Sequence, residues 1–283
     1  MRQIGQYTLH ALETGTFGLD GGAMFGVVPR TLWEKRIAPD DRNRIPLAMR
    51  CLLLEATDRL VLVDNGVGDK YSDKFASIYN IDHSKQTLVS SLASVGATPD
   101  DITDVILTHL HFDHAGGTTA RGSDGLELVF KNARHFVQKA HWESANDPNP
   151  REKASFLAEN LRPLAESDQL VLVEGDGEIL PGIEVITVNG HTEKMQLVKV
   201  GDGSDALVFV ADLLPTAHHV GIPWVMAYDI RPLDTMVEKE RFLRRAAREG
   251  WTLFFEHDVH TELATISDDD RGFSAVPAGR LGE

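Results

Sequence analysis

Residues 109–114 read His-Leu-His-Phe-Asp-His and follow directly on the apolar run "DITDVILT". No other feature constrains the fold as much, because four cation-binding side chains fall within six positions. Such a cluster needs a rigid support, and an apolar strand running straight into it is one. In an extended segment, side chains two apart point the same way, so His109 and His111 project to one side from the strand end. Asp113 and His114 come after the chain turns and address a second point nearby. The following "AGG" supplies small residues where the backbone must turn tightly and a helix can begin. Imidazole with carboxylate is a ligand set suited to Zn²⁺, and also to Mn, Fe or Co.

A site of this kind needs further ligands, and other strand ends offer them. "ITVNGHT" closes a β run on His191, "LVFVAD" closes one on Asp212, and "TLFFEHD" closes one on His257. Short apolar runs at 46–55 and 59–65, joined by "ATD", predict a hairpin of buried strands. Residues 84–96 carry helical spacing, with Ser84 as N-cap and Gly96 at the end. "ARHFVQ" predicts a strand and "KAHWESAN" a helix start. Residues 150–167 read as an amphipathic helix placed to form a lid. From 170 onward strands dominate until "DTMVEKERFLRRAAREG", a helix with Gly250 just past its C-terminus. With no linker and no internal repeat, the expectation is one layered α/β domain over residues 1–283.

Composition narrows the partners. Asp and Glu outnumber Lys and Arg by 43 to 28, a formal charge of −15. That excess disfavours nucleic acid and anionic membrane surfaces. The lone cysteine, Cys51, sits inside "LAMRCLLLE" and reads as a buried strand residue. No apolar run is long enough for a membrane span and the first residues lack a leader's apolar core, so the expected location is cytoplasmic.

At this point the sequence resembles the metallo-β-lactamase fold superfamily. Its signature, HxHxDH followed by a distant His, a bridging Asp and a final His, matches His109, His111, Asp113, His114, His191, Asp212 and His257 in order. "LLLEATDRLVLVDNGVGD" is similar to the family's strand-turn-strand and Asp-containing loop. The resemblance implies an αββα sandwich, two mixed β-sheets face to face with helices outside and two divalent metal ions, zinc first, at one edge. It further implies that His109, His111 and His191 hold one ion, that Asp113, His114 and His257 hold the other, and that Asp212 bridges them. Asp64 matches a position that orients a ligand histidine. Attack by a hydroxide held between the metals is the implied chemistry.

Within the superfamily, "ADLLPTAHHVGIPWVMAYDIRP" and "FGVVPRTLWEK" look most like the branch of methyl parathion hydrolase and YtnP-like quorum-quenching lactonases. That branch implies opening of an N-acyl homoserine lactone or related ester by a protein that often dimerises. Two departures stand out. After "GHT" the family often has Gly and His, where this chain has Lys194 and Met195, so a different local turn is expected. Many acyl-homoserine lactonases carry a tyrosine three residues after the bridging Asp, where this chain has Pro215; Tyr228 is the nearest downstream tyrosine and the candidate for its catalytic role beside Asp212 and Asp113. Phe25, Phe112, Trp224 and Met226 are the candidate substrate wall. His218 and His219 are not counted as ligands.

Four other readings compete. A phosphotriesterase would use the same centre. A glyoxalase II-like thioesterase would need basic residues for glutathione, whereas the chain after His257 contains "SDDDRG". An iron-dependent oxidoreductase of this fold would lack the full second ligand set or replace His111 with Glu. A non-catalytic binding module would have lost ligand positions, and none is missing.

Overall fold

The computed structural model describes residues 2–282. The first sheet begins with β1 (Arg2–Ile4), β2 (Tyr7–Asp20), β3 (Arg44–Ala56), β4 (Arg59–Val63) and β5 (Asp104–Ile106). A separate small hairpin follows, β6 (Thr119–Gly122) with β7 (Gly125–Leu128), before β8 (Arg134–Gln138) and β9 (Leu170–Val173) complete the sheet. The second sheet holds β10 (Gly177–Leu180), β11 (Ile183–Val188), β12 (Met195–Val200), β13 (Leu207–Phe209), β14 (Thr252–Phe254), β15 (Leu263–Asp269) and β16 (Gly272–Pro277). Helices α1 (Gly21–Phe25), α2 (Arg30–Trp33), α3 (Asp73–Tyr79), α4 (Leu88–Ser94), α5 (Phe112–Ala115), α6 (Lys139–Asn146), α7 (Ala158–Ala165) and α8 (Pro232–Glu249) lie outside or between them. This is an αββα sandwich.

Period-two alternation assigns each strand face. Leu52, Leu54, Val61, Val63 and Ile106 join the core between the sheets, with Leu197, Phe209 and Phe254 opposite. Their neighbours Cys51, Leu53, Leu62 and Val105 face the other way, onto Leu92 of α4, Ala145 of α6 and Leu164 of α7. Strands buried on both faces read as continuous apolar runs, which is why "LLLE" and "LVLV" have no polar alternation. Truncating one such leucine to alanine costs roughly 2–5 kcal/mol. Cys51 is buried in β3, as expected.

The helix boundaries depart from the sequence expectation in two places. Ser84 is not an N-cap; its N–H donates to the Asp82 carboxylate. The helix opens at Leu88, where Thr87 and Ser90 cap each other reciprocally. The helix expected over 150–167 forms only over Ala158–Ala165. Residues 151–156 form an irregular strap because tertiary contacts claim them. The Arg151 guanidinium donates to the Ala227 and Asp229 carbonyls, and the Glu152 carboxylate accepts from Thr192.

Candidate metal centre and substrate cleft

Parallel pairing brings the strand ends together. β4 and β5 pair in parallel with Val63 opposite Ile106, so Asp64 and the His109 cluster leave the sheet at the same edge. In the second sheet β13 and β14 are the parallel pair, Phe209 opposite Phe254. Asp212 and His257 each come three residues later and therefore emerge side by side. β11 runs antiparallel to β12, and β12 antiparallel to β13, so β11 also ends at this edge and delivers His191.

The side chains gather in two groups, His109, His111, His191 and Asp212 in one and Asp113, His114 and His257 in the other. Asp212 spans both. Its Oδ2 lies 3.2 Å from His191 Nε2 and 3.9 Å from His109 Nε2, and its Oδ1 lies 3.3 Å from His257 Nε2. His111 Nδ1 is 3.2 Å from His191 Nε2, and His114 Nε2 is 3.1 Å from His257 Nε2. Asp113 Oδ2 stands 3.8 Å from His257 Nε2.

Contacts behind the rings settle which nitrogens face inward with lone pairs. His257 Nδ1 donates to the Ala48 carbonyl at 2.8 Å, and His191 Nδ1 donates to Asp229 at 2.9 Å. His114 Nδ1 donates to Asp64 Oδ2 at 3.0 Å. Asp64 also accepts the Thr108 N–H and hydroxyl, at 2.7 and 2.6 Å. Because the Thr108 proton goes to Asp64, its oxygen is free to accept from His109 Nδ1 at 3.1 Å. The Nε2 atoms of His109, His114, His191 and His257 are thus left as acceptors. His109 Nε2 and Asp212 Oδ1 are buried without any hydrogen-bond donor. Facing lone pairs in a buried site repel unless a cation or a proton lies among them, so this donor set fits divalent ions.

The titration behaviour carries the same message. Burial lowers His109, and the neighbouring imidazoles lower it further. Burial raises the Asp212 carboxyl, but His114 and His191 outweigh it and hold the group well below the usual range. Burial would lower His257, but Asp212 and Glu256 together push it up to about 9. The carboxylates therefore create a strong pull for positive charge at this edge.

A cleft of about 280 Å³ opens onto the centre, with Asp113, Asp212 and the rings of His111, His191 and His257 in its floor. Phe112 and Met226 stand in its wall beside Leu19, Met24 and Tyr79. Tyr228 lies at its rim, 38 % exposed. Phe25 and Trp224 are corrections to the expected wall. Phe25 is fully buried, stacked between Trp33 and His219, and Trp224 meets it edge-on away from the cleft. Their apolar character serves packing. Lys194 stands in the turn after His191. Its φ of 49° lies in the left-handed region that glycine favours. Among nearby glycines, Gly116 is required by close approach, since a Cβ there would run into the Val67 carbonyl.

Several residues of the site went unread in the sequence. Asp229 lies in the quoted "AYDIRP", and Glu256 stands beside His257 in "FFEHD". A carboxylate inside an apolar strand end was the available signal for Glu256. His141 accepts the Leu110 N–H at 2.8 Å through Nε2 and so fixes the motif loop, but nothing local distinguishes it.

The family model described as the Metallo-beta-lactamase superfamily matches residues 46–257. An N-acyl homoserine lactonase of Bacillus cereus is 27% identical over 241 residues, 78% of this chain and 85% of that one. N-acyl homoserine lactonase AiiB of Agrobacterium fabrum is 26% identical over 239 residues, 80% and 85% of the two chains. Among solved structures, a probable metal-dependent hydrolase from Staphylococcus aureus superposes with a TM-score of 0.89 at 32% identity, covering 98% and 99% of the two chains. AidC, a dizinc quorum-quenching lactonase bound to its product, superposes at 0.79 with 21% identity, covering 98% and 96%. The chain belongs to the metallo-beta-lactamase superfamily. It is a metal-dependent hydrolase of that superfamily.

Proposed function

We propose that the protein opens the ring of an N-acyl homoserine lactone or a closely related lactone, using two zinc ions. His109, His111 and His191 would hold one ion, Asp113, His114 and His257 the other, and Asp212 would bridge. The observation that carries the proposal is Asp212, whose one carboxylate lies against both histidine groups, Oδ2 beside His191 and His114 and Oδ1 beside His257. The similarity to lactonases over most of the chain supports the substrate class.

When bound, divalent ions lower the pKa of water and polarise a carbonyl oxygen. The chain's own residues supply the rest. Asp64, Asp229 and the Ala48 carbonyl hold three of the imidazoles in the tautomer that presents Nε2 inward. Leu19, Met24, Phe112 and Met226 offer an apolar wall for an acyl chain. Ring opening releases an alkoxide that needs a proton. Asp113 stands in the cleft floor, and burial raises the Tyr228 phenol, which keeps its proton at neutral pH. The Tyr228 phenol is assigned to protonate the leaving oxygen, and the Asp113 carboxylate to accept the proton that the attacking water gives up.

The test is proton release from N-hexanoyl and N-dodecanoyl homoserine lactones by zinc-loaded protein, beside an aryl ester, a phosphotriester and a glutathione thioester. The lactones are expected to turn over fastest. Faster phosphotriester or thioester hydrolysis overturns the substrate assignment while leaving the metal centre intact. We further propose a cytoplasmic location and, as the resemblance to the lactonase branch implies, a homodimer; sedimentation at micromolar concentration tests the dimer.

A further inference from the structure

We infer that Glu256 is a positioning residue that joins Asp64 in a two-carboxylate clamp on the His114 ring and sets how tightly the second ion is held. This rests on the dinuclear reading above. Glu256 is fully buried, and its Oε2 lies 3.0 Å from His114 Nδ1. Asp64 Oδ2 lies at the same distance and receives the Nδ1 proton. Glu256 stands off the N–H direction, and neither of its oxygens has a hydrogen-bond donor.

A buried carboxylate without a donor is costly unless positive charge lies close by. Among the described residues, His114 is the only basic group within ion-pair distance of Glu256. Arg50, the nearest strand neighbour, is committed to Glu13 and to the Phe255 and Asp258 carbonyls. An ionised Glu256 is compensated through the His114 ring, whose Nε2 faces the second group. Asp64 is tied down by Thr108 and fixes the ring's orientation. Glu256 has no such ties, and its carboxylate lies against the same nitrogen of the ring. Outer carboxylates of this kind change metal affinity by roughly 10–100-fold.

The experiment strips the protein of metal and titrates zinc back against a chromophoric chelator. Wild type should bind two equivalents, and His257→Ala identifies which equivalent belongs to the second group. Glu256→Gln keeps the shape and removes the charge. It is expected to weaken the second equivalent about 10–100-fold and leave the first unchanged. If the Gln variant fails to fold, as circular dichroism of the metal-free protein would show, Glu256→Asp withdraws the carboxylate instead and should weaken the same equivalent. An unchanged second equivalent, or equal weakening of both, overturns the inference alone. A third equivalent in wild type that Glu256→Gln abolishes also overturns it, making Glu256 a ligand. Fewer than two equivalents in wild type overturns the dinuclear reading as well.

Discussion

His191 owes its inward-facing lone pair to Asp229, which takes the proton of the opposite nitrogen and has one oxygen left without a partner. Asp229→Asn keeps the shape but offers either an acceptor or a donor to that nitrogen. It should lower zinc retention and turnover by roughly 10–100-fold with little change in melting temperature; parallel assays of metal content and rate check this, and full retention of both would contradict it. Three histidines outside the ligand set make a separate prediction. Burial lowers His135 and His141 to about 4 and His219 to about 3. An unfolded histidine titrates near 6.5, so below that pH the unfolded chain binds protons that these folded residues refuse. Their contribution is therefore present above about pH 6.5 and is lost as pH falls towards 4. Each should cost on the order of 1–2 kcal/mol between pH 7 and 5. His135 packs against Phe130, apart from the metal centre, so urea denaturation of metal-free His135→Gln should show a correspondingly smaller loss over that interval than wild type. Equal losses would contradict the assignment.

At the scale of elements, the chain's most readable feature is an apolar strand that stops on a polar residue. His109, His191, Asp212 and His257 each follow such a run, and parallel register does the rest, so their convergence was legible. The long β2 was not. Its polar positions, Gly15 and a register shift between Glu13 and Thr16 hide the alternation that marks a strand. The strap at 151–156 carries helical spacing but is not helix, because its conformation depends on partners distant in sequence, Thr192 and the Asp229 carbonyl. Phe25 and Trp224 differ from expectation for a related reason, since an apolar side chain near a site has the same sequence signature whether it lines a cleft or supports it. Lys239 of α8 shows what holds the cleft's other side. Its ammonium donates to the carbonyls of His219, Gly221 and Trp224 at 2.7–2.8 Å, anchoring the segment that leads to Met226 and Tyr228. Lys239→Met leaves the His219 and Trp224 carbonyls unpaired, while the Gly221 carbonyl keeps the Trp224 N–H. It should destabilise the protein by about 3 kcal/mol and raise KM more than it lowers kcat, as thermal melts and steady-state kinetics would show. Unchanged KM would contradict this role.

For the whole molecule, the core between the sheets takes side chains from both halves of the sequence, from Ile4 to Ile266. We therefore expect residues 1–283 to unfold as one domain, in a single calorimetric transition. Ions bound only to the folded state add stability, about 2.7 kcal/mol at a free concentration one hundred times Kd, so chelation should lower Tm and zinc should restore it. Two resolved transitions would contradict the single-domain reading. The central claim is that Asp212 couples two ions into one hydrolytic centre. Its most direct test is Asp212→Ala, assayed for bound zinc and for N-hexanoyl homoserine lactone opening beside wild type. We predict two zinc ions and rapid opening in wild type, with metal lost and turnover reduced at least a hundredfold in the folded variant; a folded Asp212→Ala protein that keeps wild-type turnover would contradict the account.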